Sequence, residues 1–103
     1  MSQTTLDKVI KDIRAERERQ DAQWGADRDQ PHTLWQTILT EEVGEVAEAV
    51  LDVTFPKEGA ASAEELKHLY EELVQVAAVA TAHAEAVLRQ AAHGPATTRD
   101  NAA

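Results

Sequence analysis

The sequence contains no cysteine, and it is poor in proline, glycine and aromatic residues. Without cysteine there is no disulfide, no thiolate nucleophile and no sulfur-ligated zinc, so any bound metal must be held by oxygen or imidazole. No apolar run approaches the roughly 18 residues that span a bilayer, and the first residues lack the basic and apolar segments of a signal peptide. We therefore expect a cytoplasmic protein with no membrane partner.

Basic residues are also scarce relative to acidic ones. Ten Lys and Arg against nineteen Asp and Glu give a formal net charge of −9. Sequence-independent binding to nucleic acid depends mainly on Lys and Arg at phosphates, so this balance disfavours a nucleic-acid partner. A chain of 103 residues allows one small domain. Such a chain buries only about 60–65% of its unfolded surface, which makes association with partner subunits a reasonable expectation.

What the sequence does contain is helical periodicity. Apolar residues recur every three or four positions over residues 5–21, 33–54 and 62–92, which predicts three amphipathic helices. Ser62 followed by Glu65 is a capping-box signature at the start of the third helix. No segment shows the alternation of a strand. We therefore predict an all-α fold, a bundle of three main helices.

The third helix is apolar over most of its circumference between Val74 and Val87. A helix of this kind needs neighbours on several sides, and one chain supplies only two other helices. We therefore predict that oligomerisation completes the bundle, in a homodimer or a dimer of dimers. Residues 1–93 are predicted to form the single domain, and residues 94–103, which begin with a Gly-Pro helix stop, to form a disordered tail.

The predicted packing faces are the apolar stripes of the second and third helices. They comprise Leu39, Val43, Val46, Val50 and Val53 on the second helix, and Leu66, Leu69, Leu73, Val76, Ala80, Ala84 and Val87 on the third.

Beside these stripes the two helices carry the same acidic pattern. Residues 41–47 and 71–77 each place two acids before an apolar residue, with a third polar group three positions after the second acid. Positions i and i+3 share one face of a helix. The resulting donor pairs are Glu42 with Glu45 and Glu72 with Gln75. If the stripes pack face to face, the two pairs converge.

Three carboxylates gathered at the edge of an apolar core repel one another and lose solvation unless a cation joins them. Oxygen ligands favour Mg²⁺, with Mn²⁺ as the alternative, over zinc. Such a metal screens a polyphosphate and activates water for attack on phosphorus. Two other interpretations stay open. The acids are a solvated helix face, or Glu65 and His68 supply one Glu-x-x-His motif of a di-iron bundle.

At these residues the sequence resembles the MazG-like all-α nucleotide pyrophosphohydrolases of the small phage and bacterial type. Their pattern is Glu-x-x-Glu on one helix and Glu-x-x-Asp on a later one. Glu42 to Glu45 matches the first half, and Glu72 to Gln75 matches the second except at its last position. The resemblance extends from about Arg17 to Val87. It implies Mg²⁺-dependent hydrolysis of a nucleoside triphosphate to the monophosphate and pyrophosphate, in a house-cleaning role for the nucleotide pool.

The resemblance also implies residue roles. Glu42, Glu45, Glu72 and Gln75 would be the metal positions, and Glu45 would also orient or deprotonate the attacking water. Because Gln75 brings no charge, three outcomes are open: fewer metals, a substitute acid such as Glu41, Glu48 or Glu71, or loss of catalysis with binding retained. The alternative function is therefore a catalytically silent nucleotide- or metal-binding helical regulatory module. A helical interaction domain without a ligand is a third possibility.

Five further residues are candidates for substrate binding. Trp24 and Trp35 flank the first connector, where an aromatic face stacks on a base or anchors the core. His32 precedes the second helix, and Lys57 and Arg89 supply positive charge for a polyphosphate. The mixed charges of the first helix, including Glu16 and Arg19, are interpreted as a solvated face.

Overall fold

A computed structural model describes residues 3–93 as three helices. They are α1 (Thr5–Trp24), α2 (His32–Thr54) and α3 (Ala63–Ala92). No strand occurs in the part of the chain that is described, so the all-α prediction of three helices is confirmed. No helix within residues 3–93 is long and apolar enough to cross a membrane. The predicted tail, 94–103, lies outside the described residues.

Side chains cap the first and third helices. The hydroxyl of Ser62 accepts the backbone N–H of Glu65 at 3.1 Å, and the Glu65 carboxylate accepts the N–H of Ser62 at 2.8 Å. This is the predicted capping box. Thr4 and Asp7 form the same arrangement at the start of α1. That helix runs three residues further than the periodicity predicts and ends at Gly25, whose φ of 97° favours glycine.

The core lies where α3 packs against both other helices. Its centre is Trp35 on α2, which contacts Val79, Ala82 and Ala86 on α3. Small residues at three- and four-residue spacing let the helices approach closely around the large indole. The buried apolar residues are Trp35, Ala49, Val74, Ala78, Val79, Ala82 and Ala86.

Most of the predicted packing stripes lie outside this core: Leu39 packs against it, and Val46, Val53, Leu69 and Val76 are half-buried. Val43 and Val50 on α2, and Leu66, Leu73 and Val87 on α3, are 42–51% exposed. The prediction of which α3 face packs within the chain was therefore wrong. Because Ala and Val surround α3, two of its faces are apolar. The one with the smaller residues accommodates the indole and the larger residues face outwards.

Polar contacts attach α1 to α3. Arg17, with a side chain only 13% exposed, donates to Glu85 at 2.6 and 2.8 Å and to Asp21 at 2.8 Å. Tyr70 donates to Asp12 at 2.6 Å. The expectation of a solvated α1 face is thus wrong for Arg17, whose side chain is shielded where it meets α3.

The molecule is flat, with extents of 59 × 36 × 21 Å and a radius of gyration of 17.3 Å. A compact domain of this length has a radius of gyration of about 13 Å. Three helices in this arrangement leave a large share of their apolar side chains in contact with water.

Candidate functional site

Three of the four predicted donors converge. Each of Glu42 and Glu45 on α2 and Glu72 on α3 offers a carboxylate oxygen that lies within 4.8 Å of the others. We call these three residues the carboxylate cluster. The i, i+3 spacing on α2 supplies two of its members, and the packing of α3 against α2 supplies the third.

The cluster is partly withdrawn from water. Glu72 is only 8% exposed, Glu42 is half-buried and Glu45 is exposed. The Oε2 atoms of Glu42 and Glu72 are closed to water and have no hydrogen-bond partner among residues 3–93. Buried carboxylate oxygens without partners are costly, so this arrangement favours either a proton or a cation between the acids.

The electrostatics of the cluster favour uptake of positive charge. Burial raises the pKa of Glu42 to about 7, and repulsion from Glu45, Glu72 and Glu16 adds to the shift. Burial also raises the pKa of Glu72, followed by repulsion from Glu45; His68, with Nε2 at 3.8 Å from Oε1 of Glu72, acts in the opposite direction. A divalent cation would relieve both the lost solvation and the repulsion.

Two cavities adjoin the cluster. One, of about 490 Å³, has Glu42 in its wall, and we call it the aromatic cavity. Trp24, Trp35, Ile38, Val79, Arg28, Gln20, Gln30 and Glu41 also line it. The other, of about 720 Å³, has Glu72 in its wall, together with Lys8, Lys67, His68 and Tyr70, and we call it the lysine cavity. Both volumes are in the range of small-molecule sites.

Three residues line both cavities: Gln75, the fourth predicted donor, and Glu16 and Arg19 from α1. Glu16, with a side chain 14% exposed, accepts from Arg19 at 2.6 and 2.9 Å and from Nε2 of Gln20 at 3.3 Å. Sequence reasoning missed Glu16 as a fourth acid near the cluster. Its only signal was position in a mixed-charge helix, which does not distinguish a solvated acid from a buried one.

The two tryptophans occupy different environments. Trp35 is 2% exposed, the His83 ring stacks on it at 5.5 Å between centroids, and the Arg28 guanidinium lies 4.9 Å from its centroid. Trp24 is 54% exposed, with the Arg28 guanidinium 5.8 Å from its centroid. Trp35 is therefore a core anchor that also lines the cavity, whereas Trp24 retains open ring surface.

The other predicted substrate-binding residues lie away from the cluster. His32 contacts His83 at 2.9 Å and Oε1 of Gln90 at 2.9 Å, which links the start of α2 to α3. Arg89 donates to Asp27 and to the Arg28 carbonyl, and so holds the first connector. Lys57 is exposed in the loop between α2 and α3. None of His32, Arg89 and Lys57 lines either cavity in the described chain.

The shifted pKa of Glu42 makes stability depend on pH. Because the folded chain holds this proton up to about pH 7 and the unfolded chain only up to about 4.5, stability in the absence of metal should fall as pH rises through that window. Glu42→Gln should reduce this dependence, leaving the part that comes from the raised pKa of Glu72, and should raise the free energy of unfolding at pH 8 by about 1–2 kcal/mol.

Urea denaturation in chelator between pH 4.5 and 8 measures this effect. Glu58→Gln, at an exposed acid in the loop, should follow the unmutated protein throughout. A Glu42→Gln profile parallel to that of the unmutated protein would show that Glu42 titrates normally.

Comparison of the chain with models of protein families, with curated proteins and with solved structures finds no match in any of the three.

Proposed function

We propose that this protein is a Mg²⁺-dependent nucleoside triphosphate pyrophosphohydrolase, which cleaves the bond between the α and β phosphates and yields a monophosphate and pyrophosphate. The observation that carries the proposal is the convergence of Glu42, Glu45 and Glu72 within 4.8 Å, with buried oxygens of two of them left without a partner among residues 3–93.

The donor set fits a hard divalent cation. Mg²⁺ in enzymes that act on phosphates takes one or two carboxylates and completes its shell with water and substrate oxygens. Glu42 and Glu72 would hold the cation with their buried oxygens, and the Gln75 carbonyl would be a neutral donor. Mn²⁺ fits the same ligands. When bound, the cation supplies charge for the phosphates and lowers the pKa of a coordinated water.

Glu45 is the member of the cluster that we assign to the attacking water. It is exposed, whereas Glu72 is buried and Glu42 half-buried, so water reaches its carboxylate most readily. A carboxylate that water reaches can accept a proton from that water or orient it for attack.

The cavities are consistent with a substrate that extends to both sides of the cluster. Arg19 lines both of them, and Lys8 and Lys67 add positive charge on the Glu72 side. These groups would neutralise phosphate oxygens that the cation does not contact. The MazG-like pattern of the sequence supports the same reaction, although Gln75 stands where that pattern has an acid.

One observation favours a second candidate. A neutral Gln75 leaves three carboxylates rather than four in the predicted motif, and fewer charges bind cations more weakly. A nucleotide-binding regulatory module without turnover would keep the cluster and both cavities. Glu16 favours the hydrolase over this second candidate, because it brings a fourth carboxylate close to Glu42 from another helix.

The reaction is tested by pyrophosphate release from a panel of ribo- and deoxynucleoside triphosphates with Mg²⁺ or Mn²⁺. We expect Glu42→Gln to lower turnover at least about 100-fold, because it removes a charged ligand, whereas Glu58→Gln leaves turnover unchanged. Turnover that survives Glu42→Gln would contradict the site. Stabilisation by nucleotide without turnover would favour the regulatory module.

We also propose that the chain functions as a homodimer or a dimer of dimers. Leu66, Leu73 and Val87 share one face of α3 by their spacing and are 44–51% exposed. An apolar stripe of this length on a flat chain is typical of a subunit interface. A second copy of this chain is the partner that the stripe fits, because the same face on both subunits is self-complementary.

Sedimentation velocity tests the assembly. The unmutated protein should sediment as a dimer or tetramer, and Val87→Glu should shift it towards the monomer because a buried charge at the interface is costly. Leu6→Glu, at a 65% exposed position on α1, is the matched control. A monomeric unmutated protein at micromolar concentration would contradict the assembly.

A further inference from the structure

Besides Glu42 of the carboxylate cluster, the aromatic cavity is lined by three residues that each hold a buried polar atom without a partner among residues 3–93. The atoms are Oε1 of Gln20, Nε2 of Gln30 and Nε1 of Trp35, and none has a hydrogen-bond partner within residues 3–93. Gln20 is 4% exposed and Trp35 is 2% exposed. Buried polar atoms are nearly always satisfied in folded proteins, so three around one cavity indicate hydrogen bonds that a ligand completes.

The three atoms divide into two donors and one acceptor. Nε2 of Gln20 donates to Glu16 at 3.3 Å, which fixes the amide and leaves its Oε1 as an acceptor. The indole N–H of Trp35 only donates, and Nε2 of Gln30 is a second donor. The complementary ligand therefore offers two acceptors and one donor.

The walls of the cavity fit a flat, uncharged ring. Ile38 and Val79 supply apolar surface, and Trp24 supplies exposed ring surface. The Arg28 guanidinium lies over both indoles, at 5.8 and 4.9 Å from their centroids, and offers a second planar surface. The wall holds two arginines and three acids, Glu16, Glu41 and Glu42, so it carries no excess of positive charge that would select an anion.

We propose that the aromatic cavity binds the pyrimidine ring of the nucleotide and thereby sets base preference. The pairing edges of uracil and thymine offer one N–H donor and two carbonyl acceptors, and that of cytosine offers an amino donor and two acceptors. Guanine offers one acceptor and two donors on its edge, and adenine one of each. The inference rests on the proposed function, because Glu42 in the same wall puts the phosphates of such a nucleotide next to the carboxylate cluster.

The ring has to displace a side chain to reach these atoms. All three are closed to water in the chain without ligand. Arg28 covers both indoles from the irregular connector between α1 and α2. We assign to its side chain the movement that opens the cavity, because Arg89 holds only the backbone carbonyl of Arg28 and a connector side chain shifts with less loss of packing than a core residue.

Calorimetric titration with nucleoside monophosphates tests the inference without requiring turnover. With Mg²⁺ present, the monophosphates of uridine, thymidine and cytidine should bind at least about 10-fold more tightly than those of guanosine and adenosine, because unpaired buried groups penalise the wrong edge. Trp35→Phe keeps the ring and removes the N–H donor, so it should weaken pyrimidine binding about 10-fold. Mn²⁺ affinity should not change.

A second variant distinguishes the loss of a hydrogen bond from a loss of folding caused by Trp35→Phe. Gln20→Leu removes the acceptor from α1 without touching the core indole, and it should weaken pyrimidine binding to a similar extent. Equal affinity for pyrimidine and purine monophosphates, or no loss in either variant, would overturn the inference. Pyrophosphate release without base preference would leave the proposed function standing while this inference fails. Pyrimidine-selective binding without turnover would support this inference and contradict the proposed hydrolysis.

Discussion

The repulsion among three carboxylates at the α2–α3 contact is the constraint on which the rest of the structure depends. Glu72 is buried where α3 meets α2, and Glu42 and Glu45 face it from the neighbouring helix. Solvation lost there is not recovered by any hydrogen bond to Oε2 of Glu42 or Glu72 within the described chain. The fold tolerates this cost because a core of alanine and valine around Trp35 holds the helices together beside the acids.

The helices contribute different parts of the site. α2 and α3 bring the carboxylates, whereas α1 and the connector after it supply walls on either side. Arg17 on α1 donates to Glu85 on α3 at 2.6 and 2.8 Å, and Tyr70 on α3 donates to Asp12 on α1 at 2.6 Å, so these contacts hold α1 against α3. That attachment places Glu16 and Arg19 in both cavities. α1 thereby forms part of the wall of both cavities, whereas Leu66, Leu73 and Val87 of α3 stay exposed to water.

Sequence periodicity predicted the three helices, and the repeated i, i+3 spacing predicted a pair of donors on each helix, because both are local properties of a helix. The meeting of Glu42 and Glu45 with Glu72 depends in addition on how α3 packs against α2. Periodicity did not predict which face of α3 packs inside, since Ala and Val surround that helix and only the shape of Trp35 selects one side. Gln20, Arg28 and Gln30 were missed for another reason. Their positions depend on how α1 and the irregular connector pack against α3. The periodicity of α1 predicts the helix but not this packing, and the connector has no periodic signal.

Direct binding of Mn²⁺, followed by electron paramagnetic resonance, tests most directly whether the carboxylate cluster is a cation site. The account predicts saturable binding by the unmutated protein at neutral pH, at least about 10-fold weaker binding by Glu72→Gln, and unchanged binding by Glu58→Gln. Binding that is equally weak in the unmutated protein and in Glu72→Gln would contradict the account, because the acids would then meet without a cation to join them.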